Sequence, residues 1–488
     1  MKTKQIILTT FIVLSCSTAT FASSLYVPAD FHTIQEGIDN AAVGDSVVIS
    51  CGTYFEFDIR MKPGITVRGE TADPDCVIID ADFYGRVMNC DSLAVVSFIE
   101  GITFKRGYAD VGGGISAVAT GLIISDCNFI NNQSTLIESL SGGGGIRIRA
   151  GSDVIINNCL FKENEAYRGG GLHSSEGCIV ELNNCEFIEN LSPVGAALLL
   201  DNGSSTVRNC IISRNHGISH AGGAMVAWGE ALFENCIFYL NDTWYLNRDN
   251  QQERSTNRNL MDTAGLVAAN TVDEVTTIRN CTFANNYLNQ IFCYFDSTMV
   301  IENTIIAPGG FSVGGNPLIE CTNIYGHNGG SNWVGDFEDQ AGINGNISED
   351  PLYCGPLSYP DFDLTLMDNS PCAPENSSGC GLIGACPVAC YESAIGVVPD
   401  SELLSILSCY PNPFNPSTTI SYHMIESGYA TLKVFDLKGK LVEVLLETNI
   451  EAGDYNLVWH PENLGSGVYK VFFETGNQTI SISLLLIK

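Results

Sequence analysis

The sequence predicts an all-β protein in which a single-stranded parallel β-helix precedes a small β-sandwich. Three observations carry this prediction. A short motif recurs at a nearly constant interval through the middle of the chain, no repeat has room for an amphipathic α-helix, and the last eighty or so residues alternate short strands with turns.

The repeat unit reads C-x-F-x-x-N, followed by a short loop, a glycine cluster and an apolar strand. Three consecutive intervals between its cysteines, from Cys159 to Cys236, are 26, 25 and 26 residues long. A constant period in the twenties indicates a solenoid, in which each unit buries its apolar face only by stacking on its neighbours. The cysteines that begin the copies are Cys127, Cys159, Cys185, Cys210, Cys236 and Cys281.

Each unit has the pattern of a strand. Cys and Phe alternate with polar residues at a period of two, which directs both side chains inward. Glycine clusters such as Gly169–Gly171 fit corners where backbones approach closely, and the terminal Asn fits a turn. Stacked coils should therefore place Cys, Phe and Asn in ladders with a spacing of about 4.8 Å.

This pattern resembles the right-handed parallel β-helix of the pectin-lyase-like superfamily. The pairing of F-x-x-N with a glycine pair also resembles the repeats of bacterial polymorphic outer-membrane proteins. The resemblance implies a right-handed β-helix over residues 25–390. It does not imply one activity, because this fold hosts enzymes, adhesins and phage spikes.

The amino-terminal region predicts export and a capped β-helix. Residues 1–22 combine a basic start, a short apolar run and small residues before Ala22, as in a secretory signal peptide. Residues 25–81 resemble the amino-terminal cap and first coils of secreted β-helix proteins. Helical spacing places Ile34, Ile38 and Ala41 on one face, and a helix here would cover the exposed edge of the first coil.

Composition limits the partners. The formal net charge of −32 argues against nucleic acid, which requires a basic footprint, and against anionic membrane surfaces. It permits calcium or basic partners, although a solvated acidic surface is the simpler interpretation. No segment after the leader reaches the length of a membrane span.

The nineteen cysteines separate into two groups. Those of the repeat should be buried thiols, which behave as small hydrophobic side chains. A later group lies in a Pro/Gly/Ser-rich stretch with little core of its own, where disulfides are expected and a zinc site is the alternative. This group contains Cys354, Cys372, Cys380, Cys386 and Cys390.

An insertion interrupts the repeat. Cys236 and Cys281 are 45 residues apart, and the polar segment 242–263 accounts for the excess. We expect a loop that projects from one corner, with Trp244 and Tyr245 as candidate ligand contacts. A surface insertion without function is the alternative.

Residues 409–488 form a separate module after a linker at 391–408. Its motifs YPNPFNPSTTISY, VFDLKGK, AGDYNLVW and LGSGVYKVFF resemble the type A sorting domain of type IX secretion cargo and the related Ig-like domain of flagellar hook-capping proteins. The resemblance implies an Ig-like sandwich, contact with the secretion machinery, and a secreted or surface-attached protein. An ordinary adhesion-type sandwich is the alternative.

A candidate ligand face follows from aligning the strands after the glycines. The inward column is predicted to contain Ile115, Ile146, Leu172, Leu198 and Met225. The next residues then face outward as Ser116, Arg147, His173, Leu199 and Val226, and two positions further on stand Val118, Arg149, Ser175, Asp201 and Trp228. Five of these residues offer polar or stacking contacts to a polysaccharide, namely Arg147, Arg149, His173, Asp201 and Trp228.

We therefore expect polysaccharide binding or adhesion. Arg pairs with a uronate carboxylate, Trp stacks on a sugar ring, and His173 or Asp201 would be the base of a polysaccharide lyase or glycoside hydrolase. No catalytic signature of pectate lyases, pectin methylesterases or polygalacturonases is present, so the catalytic residues stay unassigned. A purely structural surface protein remains a third hypothesis, and His216-x-x-x-His220 is a weak metal motif without a clear third ligand.

Overall fold

The computed structural model describes most of the chain in two compact units, 1–392 and 393–488. The described residues are 22–135, 142–246, 252–254, 263–269, 273–286, 289–294, 297–307, 313–314, 317–326, 333, 335–355, 363–390, 407–410, 417–424, 427–436, 440–461, 464, 467–475 and 478–486. The predicted signal peptide and linker lie almost wholly outside these residues.

The first unit is a β-helix built from three parallel sheets, and each coil contributes strands to them in turn. Sheet 1 contains Ser24–Val27, Ser46–Ile49, Thr66–Gly69, Ser97–Glu100, Gly121–Ser125, Asp153–Asn157, Ile179–Asn183, Ser204–Arg208, Glu230–Glu234, Val275–Arg279, Thr298–Glu302 and Leu318–Glu320. Sheet 2 contains Gly52–Tyr54, Val77–Asp80, Thr103–Lys105, Asn128–Ile130, Leu160–Lys162, Glu186–Ile188, Ile211–Ser213, Ile237–Tyr239, Thr282–Ala284, Ile305–Ile306 and Asn323–Ile324.

Sheet 3 forms the remaining face of the coils. Its strands are Ile59–Arg60, Met88–Asn89, Ile115–Val118, Ile146–Arg149, Leu172–Ser174, Leu198–Asp201, Ala224–Ala227, Thr263–Ala269, Asn289–Cys293 and Val313–Gly314. Because consecutive strands of each sheet come from consecutive coils, like residues stack directly on one another.

The predicted ladders are present. Phe129, Phe161 and Phe187 are fully buried, and their rings stack with centroids 4.8 Å and 4.5 Å apart. The ladder cysteines are buried free thiols. Each ladder forms because a strand period of two keeps its position inward in every coil.

The asparagine ladder satisfies buried backbone as well as turns. The amide nitrogen of Asn190 donates to the carbonyl of Phe161 at 2.9 Å and to Asn215 Oδ1 at 2.9 Å. Its own Oδ1 accepts from the backbone and side-chain nitrogens of Asn164, each at 3.0 Å. The inward Asn thus pairs polar groups that no water reaches.

A short helix covers the amino-terminal end, as predicted. It spans Ile34–Asn40 and begins with a capping box, in which the Thr33 hydroxyl accepts from Glu36 N and the Glu36 carboxylate accepts from Thr33 N. Ile34 and Ile38 are fully buried. The capping box satisfies backbone donors that a seven-residue helix would otherwise leave free.

The corner between sheets 2 and 3 carries additional strands. Tyr108–Ala109 pairs with Gln133–Ser134, and a four-stranded sheet contains Leu191–Val194, His216–His220, Asp242–Leu246 and Gln252–Arg254. The prediction of an irregular loop after Asn241 is wrong in part, because Asp242–Leu246 extends this corner sheet and pairs antiparallel with Gln252–Arg254. The rest of the insertion lies outside the described residues up to Thr263.

Near the end of this unit lie a 3-10 helix at Gly335–Gln340 and the paired strands Leu366–Met367 and Val388–Cys390. Disulfides join Cys354 to Cys390 and Cys321 to Cys380. The expectation of disulfides throughout the late group is wrong for Cys372 and Cys386, which are free thiols. Cys372 is fully buried, and its sulfur accepts a hydrogen bond from the Asn323 amide, so it is a core side chain and not half of a disulfide.

One disulfide was not predicted. Cys51 and Cys76 are bonded to each other and lie on adjacent coils at the amino-terminal end. The two cysteines stand outside the C-x-F-x-x-N register, so the repeat pattern gave no signal for their pairing.

The second unit is an antiparallel two-sheet sandwich, as predicted for an Ig-like domain. One sheet contains Leu407–Tyr410, Thr418–Met424 and Gly453–Trp459. The other contains Leu441–Ile450, Gly428–Asp436, Gly467–Thr475 and Gln478–Leu486. Its core includes Trp459, whose indole nitrogen donates to Glu443 at 2.9 Å.

A candidate ligand-binding pocket on the third sheet

The register of sheet 3 confirms most of the predicted columns and corrects one coil. Arg147 stands beside His173, and His173 beside Leu199, in alternation with the core residues as predicted. Each of the three is at most 5% exposed, so the prediction that this column forms an open outer face is wrong. In the next coil, however, Ala224 and not Met225 pairs with Leu198. This strand starts one residue earlier than predicted, so Val226 faces inward and is fully buried.

The same one-residue shift moves Trp228 out of its predicted column. Ala227 pairs with Asp201, and Trp228 follows the strand with a φ of 48°. Its side chain is 59% exposed. The left-handed backbone turns the indole so that it still lines the same pocket as Asp201.

A pocket of about 320 Å³ lies over this face. Of the predicted residues it brings together Arg147, His173, Asp201 and Trp228. The lining also includes residues that were not among the predicted ligand contacts, namely Arg168, Ser175, Glu176 and Asn202.

Arg168 is the most important of the missed residues. It immediately precedes the glycine cluster that turns the chain into sheet 3, so it belongs to the corner and not to a strand column. An alignment extended to the residue before each glycine cluster would have included it.

Arg147 is held firmly beneath the pocket. Its guanidinium donates to the carbonyls of Ile148 at 2.8 Å and His173 at 3.1 Å, and to the Ser175 hydroxyl at 2.7 Å. It is only 5% exposed. Burial, reinforced by the nearby charge of Arg149, lowers the pKa of Arg147 to about 10.

Two guanidinium groups of the pocket, and a third beside it, have unused donors. Arg147 and Arg168 line the pocket, whereas the predicted contact Arg149 does not, although its charge acts on Arg147. The Nε atoms of all three are buried and have no hydrogen-bond partner among the described residues. No carboxylate in the described part of the chain lies within 4.0 Å of these three side chains. A buried charged donor without a partner is costly, so the cluster favours an anion that would supply acceptors.

His173 adds two more unused polar atoms. Its imidazole is 2% exposed, and neither ring nitrogen has a hydrogen-bond partner in the part of the chain that the structure describes. Burial, together with the charges of Arg147 and Arg168, lowers the pKa of His173 well below its usual value. The ring is therefore neutral at pH 7. The missing side chain of Gly142 makes room for it, because a Cβ there would collide with Nδ1.

The carboxylate of Asp201 balances part of this charge at a distance. Burial raises its pKa, while Arg168 and Arg147 act in the opposite direction. The pocket lining thus holds two guanidinium groups, of Arg147 and Arg168, and two carboxylates, of Glu176 and Asp201. We call it the basic pocket because its guanidinium groups have unused donors. It could accept an anionic group at the guanidinium donors and a sugar face at Trp228.

The remaining predicted contacts do not join this pocket. The backbone of Trp244 and Tyr245 belongs to the corner sheet, and their side chains lie outside the described part of the structure. His216 Nδ1 lies 2.6 Å from Asp242 Oδ1, and His216 and His220 occupy one strand, not a corner loop.

Within the described ranges, one group of side chains has the spacing of metal ligands, and it consists of Cys51, Glu70 and Cys76. Both of its sulfur atoms belong to a disulfide, so they are not available as metal ligands.

The comparisons with known proteins agree with the two units. Residues 61–205 and 109–259 match the family described as right handed beta helix region. Residues 408–488 match the secretion system C-terminal sorting domain. The chain is a right-handed β-helix protein with a carboxy-terminal sorting domain. The sorting domain directs export through the type IX secretion system, to the cell surface or into the medium.

Solved structures show only distant likeness. A tailspike protein, gp49 from Acinetobacter baumannii bacteriophage Fri1, described as a capsular polysaccharide depolymerase, is 13% identical with a TM-score of 0.27, over 91% of this chain and 73% of the tailspike. A variant of AlyGC, a PL6 family alginate lyase, is 9% identical with a TM-score of 0.15, over 67% of this chain and 80% of the lyase. TM-scores this low do not establish a shared activity.

A comparison with curated proteins gives no match. Among the described residues, no helix is long and apolar enough to cross a membrane.

Proposed function

We propose that this secreted or surface-attached β-helix protein binds an acidic polysaccharide through the basic pocket of sheet 3. The observation that carries the proposal is the group of three buried Nε donors on Arg147, Arg149 and Arg168 that have no partner among the described residues. An uncharged ligand would offer these donors only hydroxyl and ring oxygens. A carboxylate or sulfate on a sugar accepts from guanidinium groups in a geometry that matches their planar fork.

The form of the pocket agrees with an extended ligand. It lies over parallel sheet 3, and Trp228 in its lining is 59% exposed. Successive coils repeat every 4.8 Å or so, which allows a polymer to run along the face and contact several of them.

The test is affinity electrophoresis of the full-length chain in gels that contain polygalacturonate, alginate or hyaluronate. Retardation of the wild type and its loss, by about tenfold or more in affinity, in Arg149→Ala/Arg168→Ala would support the proposal. Arg208→Ala/Arg279→Ala is the matched control, because it removes two positive charges from sheet 1, where Arg208 pairs with Glu234 at 3.1 Å and Arg279 with Glu302 at 2.8 Å. An equal loss of affinity in the control would show that net charge alone determines binding, and it would contradict a specific site.

A second candidate function is a polysaccharide lyase, and the neutral imidazole of His173 is the observation that favours it. A lyase base removes the proton on the carbon next to the uronate carboxylate. The C–O bond to the leaving sugar then breaks, and a double bond forms between the two ring carbons. Arginines at the carboxylate would stabilise the charge that develops. Ultraviolet absorbance of the unsaturated product, lost in His173→Asn, would support this function. Binding of the polysaccharide without formation of the unsaturated product would support the first candidate function, binding alone.

A further inference from the structure

Five exposed aromatic side chains lie at one corner of the first three coils, and none of them lines the pocket. The corner lies where sheet 2 passes to sheet 3. Tyr84 is 76% exposed and Phe55 is 71% exposed, and the ring centroids of Phe57 and Tyr84 are 6.2 Å apart. We call this surface the aromatic corner, and it consists of Phe55, Phe57, Phe83, Tyr84 and Tyr108.

The backbone beneath these rings is ordered by contacts between coils. Phe83 N donates to the Arg106 carbonyl at 2.7 Å, and Tyr108 N donates to the Gly85 carbonyl at 2.8 Å. The Phe57 ring lies against Gly85, where a Cβ would come within 2.8 Å of it. The rings thus stand on a rigid base. A contiguous exposed apolar surface on such a base is typical of a binding site.

The charges at this corner differ from those in the basic pocket. Arg106 forms ion pairs with Asp80 at 2.6 Å and with Asp82 at 2.8 Å. Arg86 donates to the carbonyls of Val111 at 2.7 Å and Gly112 at 2.9 Å, and to the Asn89 side chain.

Arg86 and Arg106 are therefore both engaged. The carboxylate of Asp58 lies against Gly85, as the Phe57 ring does, and the charges of Asp58 and Asp110 act on Arg86. Neither arginine is left to pair with an anionic sugar. An uncharged sugar unit offers an apolar ring face to the aromatic side chains and hydroxyl donors to the carboxylates.

The two surfaces are continuous along one edge of sheet 3. Gly112 accepts from Arg86 at the corner, and a Cβ on Gly112 would lie 3.0 Å from Cβ of Arg147 in the basic pocket. The aromatic corner occupies the first three coils and the pocket lies on the next ones, so the two are separated by roughly 15 Å. One polymer chain of a few sugar units is long enough to contact both.

We infer that the aromatic corner is a second saccharide contact, which takes uncharged sugar units of the same polymer whose acidic units occupy the basic pocket. The inference rests on the proposed function. It narrows the ligand to a heteropolysaccharide that combines acidic and uncharged sugars.

The test uses affinity electrophoresis of the full-length chain with three kinds of gel. Polygalacturonate supplies acidic units only, galactomannan and xyloglucan supply uncharged units, and xanthan supplies both. The double variant Phe55→Ala/Tyr84→Ala should lose affinity for xanthan and for at least one uncharged polymer by about tenfold or more, with polygalacturonate unchanged. Arg149→Ala/Arg168→Ala should lose affinity for polygalacturonate and xanthan and should bind the uncharged polymers as the wild type does. Tyr429→Ala is the matched control, because it removes a ring that is 54% exposed in the second unit.

Two results would overturn the inference. The first is a failure of the expected binding, seen either as a wild type that no uncharged polymer retards or as a double variant that binds xanthan as the wild type does. The other is a change in oligomeric state of the double variant on size-exclusion chromatography, which would make the corner an interface between copies of this chain. In both cases the polygalacturonate result still tests the proposed function separately.

Discussion

The guanidinium of Arg147 donates a 2.7 Å hydrogen bond to the hydroxyl of Ser175, which lies one coil further along the β-helix. This bond joins two coils beneath the basic pocket. It fixes the Arg147 side chain so that its terminal nitrogens donate to protein oxygens, while Nε has no acceptor among the described residues. The position of the charge under the pocket thus depends on a neighbour 28 residues away in sequence.

Ser175→Ala should weaken binding of acidic polysaccharide without unfolding the protein. The change removes an acceptor from a buried, charged donor and lets the guanidinium move, so we expect a loss of affinity of roughly tenfold. Affinity electrophoresis with polygalacturonate measures it. Ser204→Ala, an exposed serine at the start of a sheet 1 strand, is the control and should bind as the wild type does. Unchanged affinity in Ser175→Ala would show that Arg147 does not contribute to binding.

Phe187→Ala should lower the free energy of unfolding by about 3–5 kcal/mol. Phe187 is fully buried and stacks on Phe161 at 4.5 Å, so truncation leaves a cavity between two coils that cannot close. Urea denaturation followed by circular dichroism is the measurement. Phe55→Ala serves as the comparison, since a ring that is 71% exposed should contribute little to stability. Similar midpoints for the two variants would argue against the inward phenylalanine ladder.

Asn190→Ala should be as damaging as the loss of a core ring. The substitution removes the acceptor of both Asn164 donors and the side-chain donor to the Phe161 carbonyl in a water-free interior, while Asn215 Oδ1 keeps its bond from Asn190 N. We expect the free energy of unfolding to fall by about 3 kcal/mol or more. Asn183→Ala, which removes one partly buried bond to Asn157 at 3.1 Å, should cost under about 1 kcal/mol in the same urea titration. A loss as small in Asn190→Ala would contradict the structural role of the ladder.

The neutral imidazole of His173 should make stability depend on pH. Its folded pKa is depressed below the usual 6.5, so below that pH the unfolded chain binds a proton that the folded chain does not. The free energy of unfolding should therefore fall as pH decreases, by about 1 kcal/mol at pH ~5.5 relative to neutral pH.

His173→Asn should lack this component in urea titrations between about pH 7 and pH 5.5. Asp201, whose pKa is raised by burial, titrates in the opposite sense, because its protonation favours the folded state as pH falls. The range stops at about pH 5.5 to limit that contribution. Parallel pH profiles for wild type and variant would show that His173 is not held neutral.

The repeat allowed most of the fold to be predicted. Alternation at a period of two, repeated every 25 or 26 residues, leaves few alternatives to stacked coils with Cys, Phe and Asn inside. The register failed at Met225 because Ala221 takes the left-handed corner position that glycine takes in the preceding coils, and a one-residue slip exchanges the two faces of a strand. The hairpin at Asp242–Leu246 was missed because edge pairing in an insertion has no periodic signal.

The sequence by itself determined the architecture, the buried ladders and the export signal of this protein, since each depends on local patterns that recur or match a known module. Only the tertiary structure decided which charges meet. Arg168, Ser175 and Trp228 reach one pocket from a corner, a strand end and a left-handed turn, and these positions depend on backbone geometry between coils. The aromatic corner was likewise absent from the sequence pattern, because whether a ring is exposed depends on the packing of neighbouring coils and not on its own position in the repeat.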